Sequence, residues 1–286
     1  MKLRHALVLH KSSTYHHYTT KVAKAERPAK ADIERFKETH DRHYECVETV
    51  VAALQRHKIR LTKTERGRLK DYHDFDLIIT VGGDGTFLEG ARYTRGQLLI
   101  GVNSDPKWSV GKLCAATAQT FPTFLEHVLS DAHSVQFLQR LMLRAPQHDY
   151  EMHFINDILV AHSSPAGLSR YVVNIDGQAE EQRCSGLWVS TATGSTGAIF
   201  SAGGEAMDPE SGDFQYLPRE LYKGWGSGQD YKLTGGVLSQ SSVVTVTSLM
   251  DSGMIFVEGS HEKILFPAQS SVSVRHSPYP LHVVRQ

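Results

Sequence analysis

Asp76-Leu77-Ile78-Ile79-Thr80-Val81 runs directly into Gly82-Gly83-Asp84-Gly85-Thr86, and Phe87 to Tyr93 follows with a helical pattern. A compact apolar run, a glycine turn and a helix make one strand–helix unit of an α/β fold. Before it, Leu3 to His10 reads as a short buried strand. From Lys30 to His57, Ile33, Phe36, His40, Tyr44, Val47, Val51 and Leu54 recur at steps of three or four, the period of one helix face. Residues 11–29 are polar, carry Pro28 and read as loop. A short strand is expected near Ile59 to Leu61, an apolar strand at Leu98 to Val102 and a helix over Thr117 to Leu129. This alternation predicts a parallel sheet covered by helices on its faces.

The character changes after Ala132. Leu138 to Leu143, Phe154 to His162, Tyr171 to Ile175, Gly186 to Ser190, Ser242 to Ser248, Met254 to Glu258 and Ser271 to Val274 all read as strands. Asp176-Gly177 is a hairpin-turn signal. The expected fold is an α/β N-terminal domain with a Rossmann-like parallel sheet over 1–132, then a β-rich, β-sandwich-like domain over 133–286. Residues 208–236 are rich in Gly, Pro, Tyr and charge and read as a long functional or mobile loop.

The 286 residues carry 31 Lys plus Arg against 31 Asp plus Glu, so the formal charge is zero and bulk nucleic-acid binding is not expected. No apolar run approaches the ~18 residues of a membrane span, and Met1 to His5 lacks a secretory core. Cys46, Cys114 and Cys184 are scattered and odd in number, which argues against a disulfide framework or a CxxC metal site. Sixteen histidines stand out, yet the adjacent pair His16-His17 has no HExxH pattern beside it and reads as solvated loop. Trp108, Trp188 and Trp225 read as structural. The expectation is a cytoplasmic protein that handles a small molecule.

Three motifs carry chemistry. At Gly82-Gly83-Asp84-Gly85-Thr86, adjacent glycines allow positive φ and close ligand approach, and backbone N–H groups at a helix start suit phosphate oxygens. Thr86 adds a candidate hydroxyl. The Asp84 carboxylate repels phosphate, so it needs another task, such as taking a proton from an attacking hydroxyl or holding Mg²⁺; the competing role is helix N-cap. The second motif, Ser190-Thr191-Ala192-Thr193-Gly194-Ser195-Thr196-Gly197 with Ser201-Ala202-Gly203-Gly204, offers small hydroxyls to a ribose or phosphate, or is simply a hydroxyl-rich turn. The third is Asn156-Asp157 inside an apolar strand, where buried polar groups need a partner; a ligand and a strand-end Asx turn are both open.

These motifs, in this order, resemble the NAD kinase family over roughly Leu77 to Glu258. Lys11-Ser12-Ser13-Thr14-Tyr15, Gly101-Val102-Asn103-Ser104-Asp105-Pro106, Gly111-Lys112-Leu113-Cys114 and Cys184-Ser185-Gly186-Leu187 look most like its mitochondrial and plant NAD(H) kinase branch. The resemblance implies ATP- and Mg²⁺-dependent transfer of phosphate to the adenosine-ribose 2′-hydroxyl of NAD or NADH. It makes Asp84 the general base and Gly82, Gly83, Gly85 and Thr86 the phosphate cradle. Asn156, Asp157, Thr193, Ser195, Thr196 and Ser201 become the dinucleotide pocket, joined by Arg183 and Ser185. No protein side chain is assigned to the metal, which travels with ATP. A homodimer or homotetramer is implied as well.

Four positions depart from the family pattern: Ser185 replaces an aspartate, Lys112 a histidine, and Ala115 and Ala198 aromatics. Arg183 falls where the family varies between NAD and NADH. The glycine-aspartate motif also occurs in lipid kinases of the diacylglycerol and sphingosine type, in which the hydroxyl run has no role. A dinucleotide-binding sensor without turnover is the third reading, supported only by Ser185.

Overall fold

The computed structural model describes residues 3–20, 22, 28–146, 149–224, 230–260 and 262–285. The chain forms two compact units, Met1–Phe137 with Leu281–Gln286, and Leu138–Pro280.

The first unit runs β1 (His5–His10), α1 (Thr14–Thr20), α2 (Lys30–Arg56), β2 (Arg60–Glu65), β3 (Leu77–Gly82), α3 (Asp84–Tyr93), β4 (Leu98–Asn103), β5 (Ala116–Thr117), α4 (Phe121–Leu129) and β6 (Ser134–Leu138). Its sheet has the order β2-β1-β3-β4, and these strands pair in parallel. Every residue of β3 is buried and all but the first of β1, as expected for a sheet covered on both faces. On one face α2 buries His43, Cys46, Val47, Val50, Ala53 and Leu54, a stripe at helical spacing. Tyr44 and Val51, expected on that stripe, are half-buried at its flank.

The second unit holds β7 (Leu141–Ala145), β8 (Tyr150–Phe154), β9 (Asp157–His162), β10 (Ser169–Ile175), β11 (Gln178–Cys184) and β12 (Gly186–Thr191). A 3₁₀ turn (Thr193–Thr196) and α5 (Ala198–Ser201) follow. Then come β13 (Phe214–Arg219), β14 (Gly236–Leu238), β15 (Val243–Ser248), β16 (Gly253–Val257), β17 (Glu262–Leu265) and β18 (Ser271–His276). Two six-stranded sheets result, β11-β10-β15-β18-β7-β8 and β14-β13-β12-β9-β16-β17, with antiparallel pairing throughout the registers of both. Alternate residues of β10 are buried. One apolar core contains Leu143, Val173 and Val246 from the first sheet and Ile158, Val189 and Ile255 from the second, so the unit is a β-sandwich. Asp176 and Gly177 both have positive φ (50° and 94°) between β10 and β11, as an Asp-Gly hairpin turn requires.

The structure revises the sequence reading in several places. The division expected at 132/133 lies at 137/138. The final strand, β19 (Leu281–Arg285), pairs in parallel with β4 and so belongs to the first sheet rather than to the β-rich unit. The stretch read as loop over 11–29 contains α1, whose start is capped by Ser13 Oγ accepting the His16 N–H at 3.1 Å. The adjacent His16-His17 pair therefore sits on a helix. Within 208–236, β13 pairs on both sides, with β12 and β14. Trp225 and its neighbours to residue 229 lie outside the described residues. Trp108 is 57% exposed, with Lys107 Nζ 5.4 Å and the Arg35 guanidinium 5.9 Å from its ring centre, so it is not a core residue. Among the described residues no helix is long and apolar enough to cross a membrane.

Candidate active site

In the first unit, β3 delivers Gly82 and Gly83 to the start of α3. Neither they nor Gly85 adopts positive φ, contrary to the expectation for this turn. Space is the reason for glycine here. A Cβ on Gly82 would strike the Thr86 hydroxyl, and one on Gly83 would strike Ser109 Oγ. Thr86 is buried, with its hydroxyl packed against Gly82 rather than facing outward. Gly83 is the N-cap, and the N–H groups of Thr86 and Phe87 turn back onto its carbonyl at 2.9 and 3.2 Å. The amides of Asp84 and Gly85 are thereby left as donors of the helix start.

Asp84 does not cap its own helix. Its carboxylate accepts the Leu113 N–H at 2.8 Å and the Lys112 N–H at 3.2 Å. That loop is itself fixed. Gly111 has φ of 58°, and a Cβ there would overlap Asn103. Asn103 donates to Ser109 O at 2.9 Å and accepts the Asp105 N–H at 3.1 Å. Arg285, on the last strand, donates from Nη1 to Leu113 O at 3.1 Å and from Nε to Gln136 Oε1 at 3.0 Å. The backbone of residue 112 holds Asp84, so that contact does not depend on which side chain stands at the departure Lys112.

In the second unit, Asn156-Asp157 marks a break between β8 and β9, not the interior of one strand. The break is held by Glu258, which follows β16 with φ of 52°. Glu258 Oε1 accepts the Ile155 and Asn156 N–H groups at 2.8 and 3.1 Å, and Glu258 N–H donates to Asp157 O at 2.9 Å. The Asn156 carbonyl accepts the Thr191 N–H at 3.0 Å and the Ser190 hydroxyl at 3.1 Å. Gly194 packs so closely on that carbonyl that a Cβ would overlap its oxygen. A Cβ on Gly197 would stand 3.6 Å from Asp157 Oδ2 and 3.7 Å from Asn156 Nδ2, so both side chains reach the hydroxyl-rich turn.

The hydroxyls of that turn divide. Ser195 is fully buried and accepts the Met207 N–H at 2.8 Å, and Thr193 donates to Pro209 O at 3.3 Å. Thr196 and Ser201 are exposed. Asp157 is only 4% exposed, and its carboxyl is pushed up to about 7, first by burial and second by the Glu258 charge.

Arg183 and Ser185 are not part of this group. Ser190 pairs opposite Asp157 at one end of β12, whereas Ser185 precedes the other end. Five residues of strand separate them, about 17 Å. Ser185 lines a separate cavity of about 180 Å³ with His162, Arg219 and Phe256. Arg183 lies 3.9 Å from the Glu181 carboxylate.

Sequence reasoning missed Glu258, Arg285 and the backbone of residues 112–113. Arg285 and Glu258 act on partners 172 and 103 residues away, so no local pattern marks them. Among the described residues no group of three His, Cys, Asp or Glu side chains is placed to hold a metal ion.

Comparison with known proteins adds a family. Residues 4–132 match the model of the ATP-NAD kinase N-terminal domain and residues 155–222 that of the C-terminal domain. A probable NADH kinase of Oryza sativa subsp. japonica is 32% identical over 242 residues, which is 77% of this chain and 74% of that protein. An NADH kinase of Arabidopsis thaliana is 33% identical over 209 residues, 65% of each. The fold matches an NAD kinase from Archaeoglobus fulgidus solved in complex with ATP, with a TM-score of 0.67 and 22% identity over 98% of this chain and 92% of that one. It also matches yeast NADH kinase complexed with NADH, with a TM-score of 0.73 and 16% identity over 100% of this chain and 84% of that one.

Proposed function

The chain belongs to the ATP-NAD kinase family, and from that premise we propose that it phosphorylates the adenosine-ribose 2′-hydroxyl of NAD or NADH with Mg-ATP. The observation that carries this reading is the Asp84 carboxylate, fixed by two backbone N–H groups beside the open donors of the α3 start.

In the proposed reaction the 2′-oxygen attacks the terminal phosphorus of ATP. The bond from that phosphorus to the bridging oxygen breaks, ADP leaves with the bond's electron pair, and Asp84 takes the hydroxyl proton. The Asp84 and Gly85 amides receive phosphate oxygens. With two lone-pair sites spent on Lys112 and Leu113, the carboxylate keeps others for the proton. Thr86 then shapes the turn from inside. Charge spread over a transferring phosphoryl group is neutralised chiefly by cations, and Mg²⁺ enters here as part of the nucleotide substrate.

Asn156 and Asp157 grip the acceptor's adenosine half, Thr193, Thr196 and Ser201 edge the pocket, and Ser195 supports it. Arg183 and Ser185 stand apart from this group, so a role for either at the dinucleotide requires a second copy of the chain, as a homodimer or homotetramer would supply.

The test is purified protein with Mg-ATP and, in separate reactions, NAD, NADH or a lipid alcohol in micelles. Product is read with a dehydrogenase specific for the 2′-phosphorylated dinucleotide. Formation of NADP or NADPH is expected. Phosphorylated lipid alone would replace the reading with a lipid kinase.

A further inference from the structure

A phosphate cradle that contains a carboxylate presents an electrostatic problem. The start of α3 offers about half a positive charge, and Asp84 sits in the same turn with a full negative one. A polyanionic donor needs a further cation at this loop. Because β2, β1, β3 and β4 are parallel, the loops that leave their C-terminal ends lie along one edge. The chain leaves β1 toward β2 and leaves β3 toward β4, so a crevice opens between the ends of β1 and β3. Lys11 follows β1, Arg66 follows β2 and Gly83-Asp84 follows β3.

Arg66 is built into position. Its N–H donates to His10 O at 2.9 Å, which extends the β1–β2 pairing by one residue. Its Nε donates to Glu89 Oε2 at 2.8 Å. The other Glu89 oxygen accepts the Gly67 N–H. Glu89 is only 8% exposed and stands on the second turn of α3. Held this way, Arg66 Nη1 lies 3.7 Å from where a Cβ on Gly85 would stand. One edge of the guanidinium faces Glu89, and a terminal nitrogen hangs over the phosphate-binding turn. Lys11 is half-buried nearby, and its amine is held below the usual lysine range, mainly by burial. Asp105 works against that shift and the Arg66 charge adds to it. Asp105 is itself committed to Arg42, at 2.9 Å.

We propose that Arg66, seconded by Lys11, binds the terminal phosphates of the donor nucleotide, and that Glu89 is the residue that positions it. The inference rests on the kinase reading for the identity of the donor. Its chemistry, a fixed fork of N–H donors meeting phosphate oxygens over a glycine turn, needs only a nucleoside triphosphate. Arg66 would be a catalytic residue. Glu89 acts through it.

The experiment uses the whole chain and three variants, Arg66→Gln, Arg66→Lys and Glu89→Gln. Equilibrium affinities for Mg-ATP, AMP and NAD are measured by titration calorimetry beside steady-state rates. Arg66→Gln keeps an N–H for Glu89 but loses the charge. It is expected to weaken Mg-ATP binding about 10–100-fold and to lower kcat about 10²–10³-fold. AMP and NAD affinities should stay within about twofold, and the melting temperature within about 3 °C. Arg66→Lys should recover part of the loss. Glu89→Gln should shift ATP affinity in the same direction, by about tenfold.

Mg-ATP affinity and kcat within about threefold of wild type in Arg66→Gln would overturn the proposal. So would a loss shared equally by ATP, AMP and NAD with a fall in melting temperature, because that is the signature of a brace between loop and helix. A wild type that binds ATP in an Arg66-dependent way yet phosphorylates no dinucleotide would overturn the kinase reading and leave this one standing. A wild type without ATP affinity would overturn both.

Discussion

Replacing Asp157 by asparagine should stabilise the protein above neutral pH and leave its stability unchanged in acid. Asp157 is buried, and its carboxyl is pushed from an ordinary 3.8 to about 7 by burial and by the neighbouring Glu258 charge. The folded state therefore holds a proton that the unfolded chain releases near pH 4. Over the interval between those two values the native state binds more protons, so stability falls as pH rises. About three pKa units at 1.36 kcal/mol each give about 4 kcal/mol as the full penalty once pH exceeds 7. Water penetration and relaxation make that an upper figure. Asparagine keeps the shape and carries no charge, so it escapes the penalty. Thermal unfolding of wild type and Asp157→Asn at intervals from pH 4 to pH 8 reads the effect. The two melting temperatures should converge near pH 4, diverge up to about pH 7 and level off above it, the variant melting at most roughly 8 °C higher at about 2 °C per kcal/mol. Parallel curves across that range would refute the reasoning. If Asp157 also grips the dinucleotide, the same substitution weakens NAD binding while it raises stability, a trade expected of a strained binding residue.

Two further substitutions test the supports of the site. Gly194→Ala forces a Cβ onto the Asn156 carbonyl oxygen; it should cost about 1–3 kcal/mol in denaturant unfolding and weaken NAD binding more than ATP binding. Arg285→Gln cannot reach both Leu113 O and Gln136; with the loop that holds Asp84 loosened, kcat should fall about tenfold or more in steady-state assays while the affinity for NAD is unchanged.

The strand and helix around Gly82-Gly83-Asp84 were legible because the signal is local. A fully buried apolar strand, a glycine turn and a helix are adjacent in sequence. The β-rich character of the second half was legible for the same reason, since β10 and β15 alternate buried and open residues. What escaped was decided at a distance. The strand β19 is short and ordinary, and nothing in Leu281 to Arg285 says that it returns to the first sheet beside β4. Charged β11 lacked an apolar stripe because it is an edge strand. The strand β13 hid in a stretch whose Gly and Pro content reads as loop, although Pro218 is accommodated opposite Leu187. At the glycine turn the residue type was legible and its reason was not. The turn needs glycine for close approach by Thr86 and Ser109, not for positive φ. Asp84 was readable as a special carboxylate, but its two holders are backbone amides, and a backbone amide leaves no trace in a sequence.

The most direct measurement sets wild type beside Asp84→Asn with Mg-ATP and NAD or NADH, taking kcat from initial rates of NADP or NADPH formation and the NAD affinity from calorimetry. A proton-accepting carboxylate contributes about 10²–10⁴-fold, so kcat should fall by that factor while NAD affinity stays within about threefold. An Asp84→Asn protein that turns over at the wild-type rate would contradict the account.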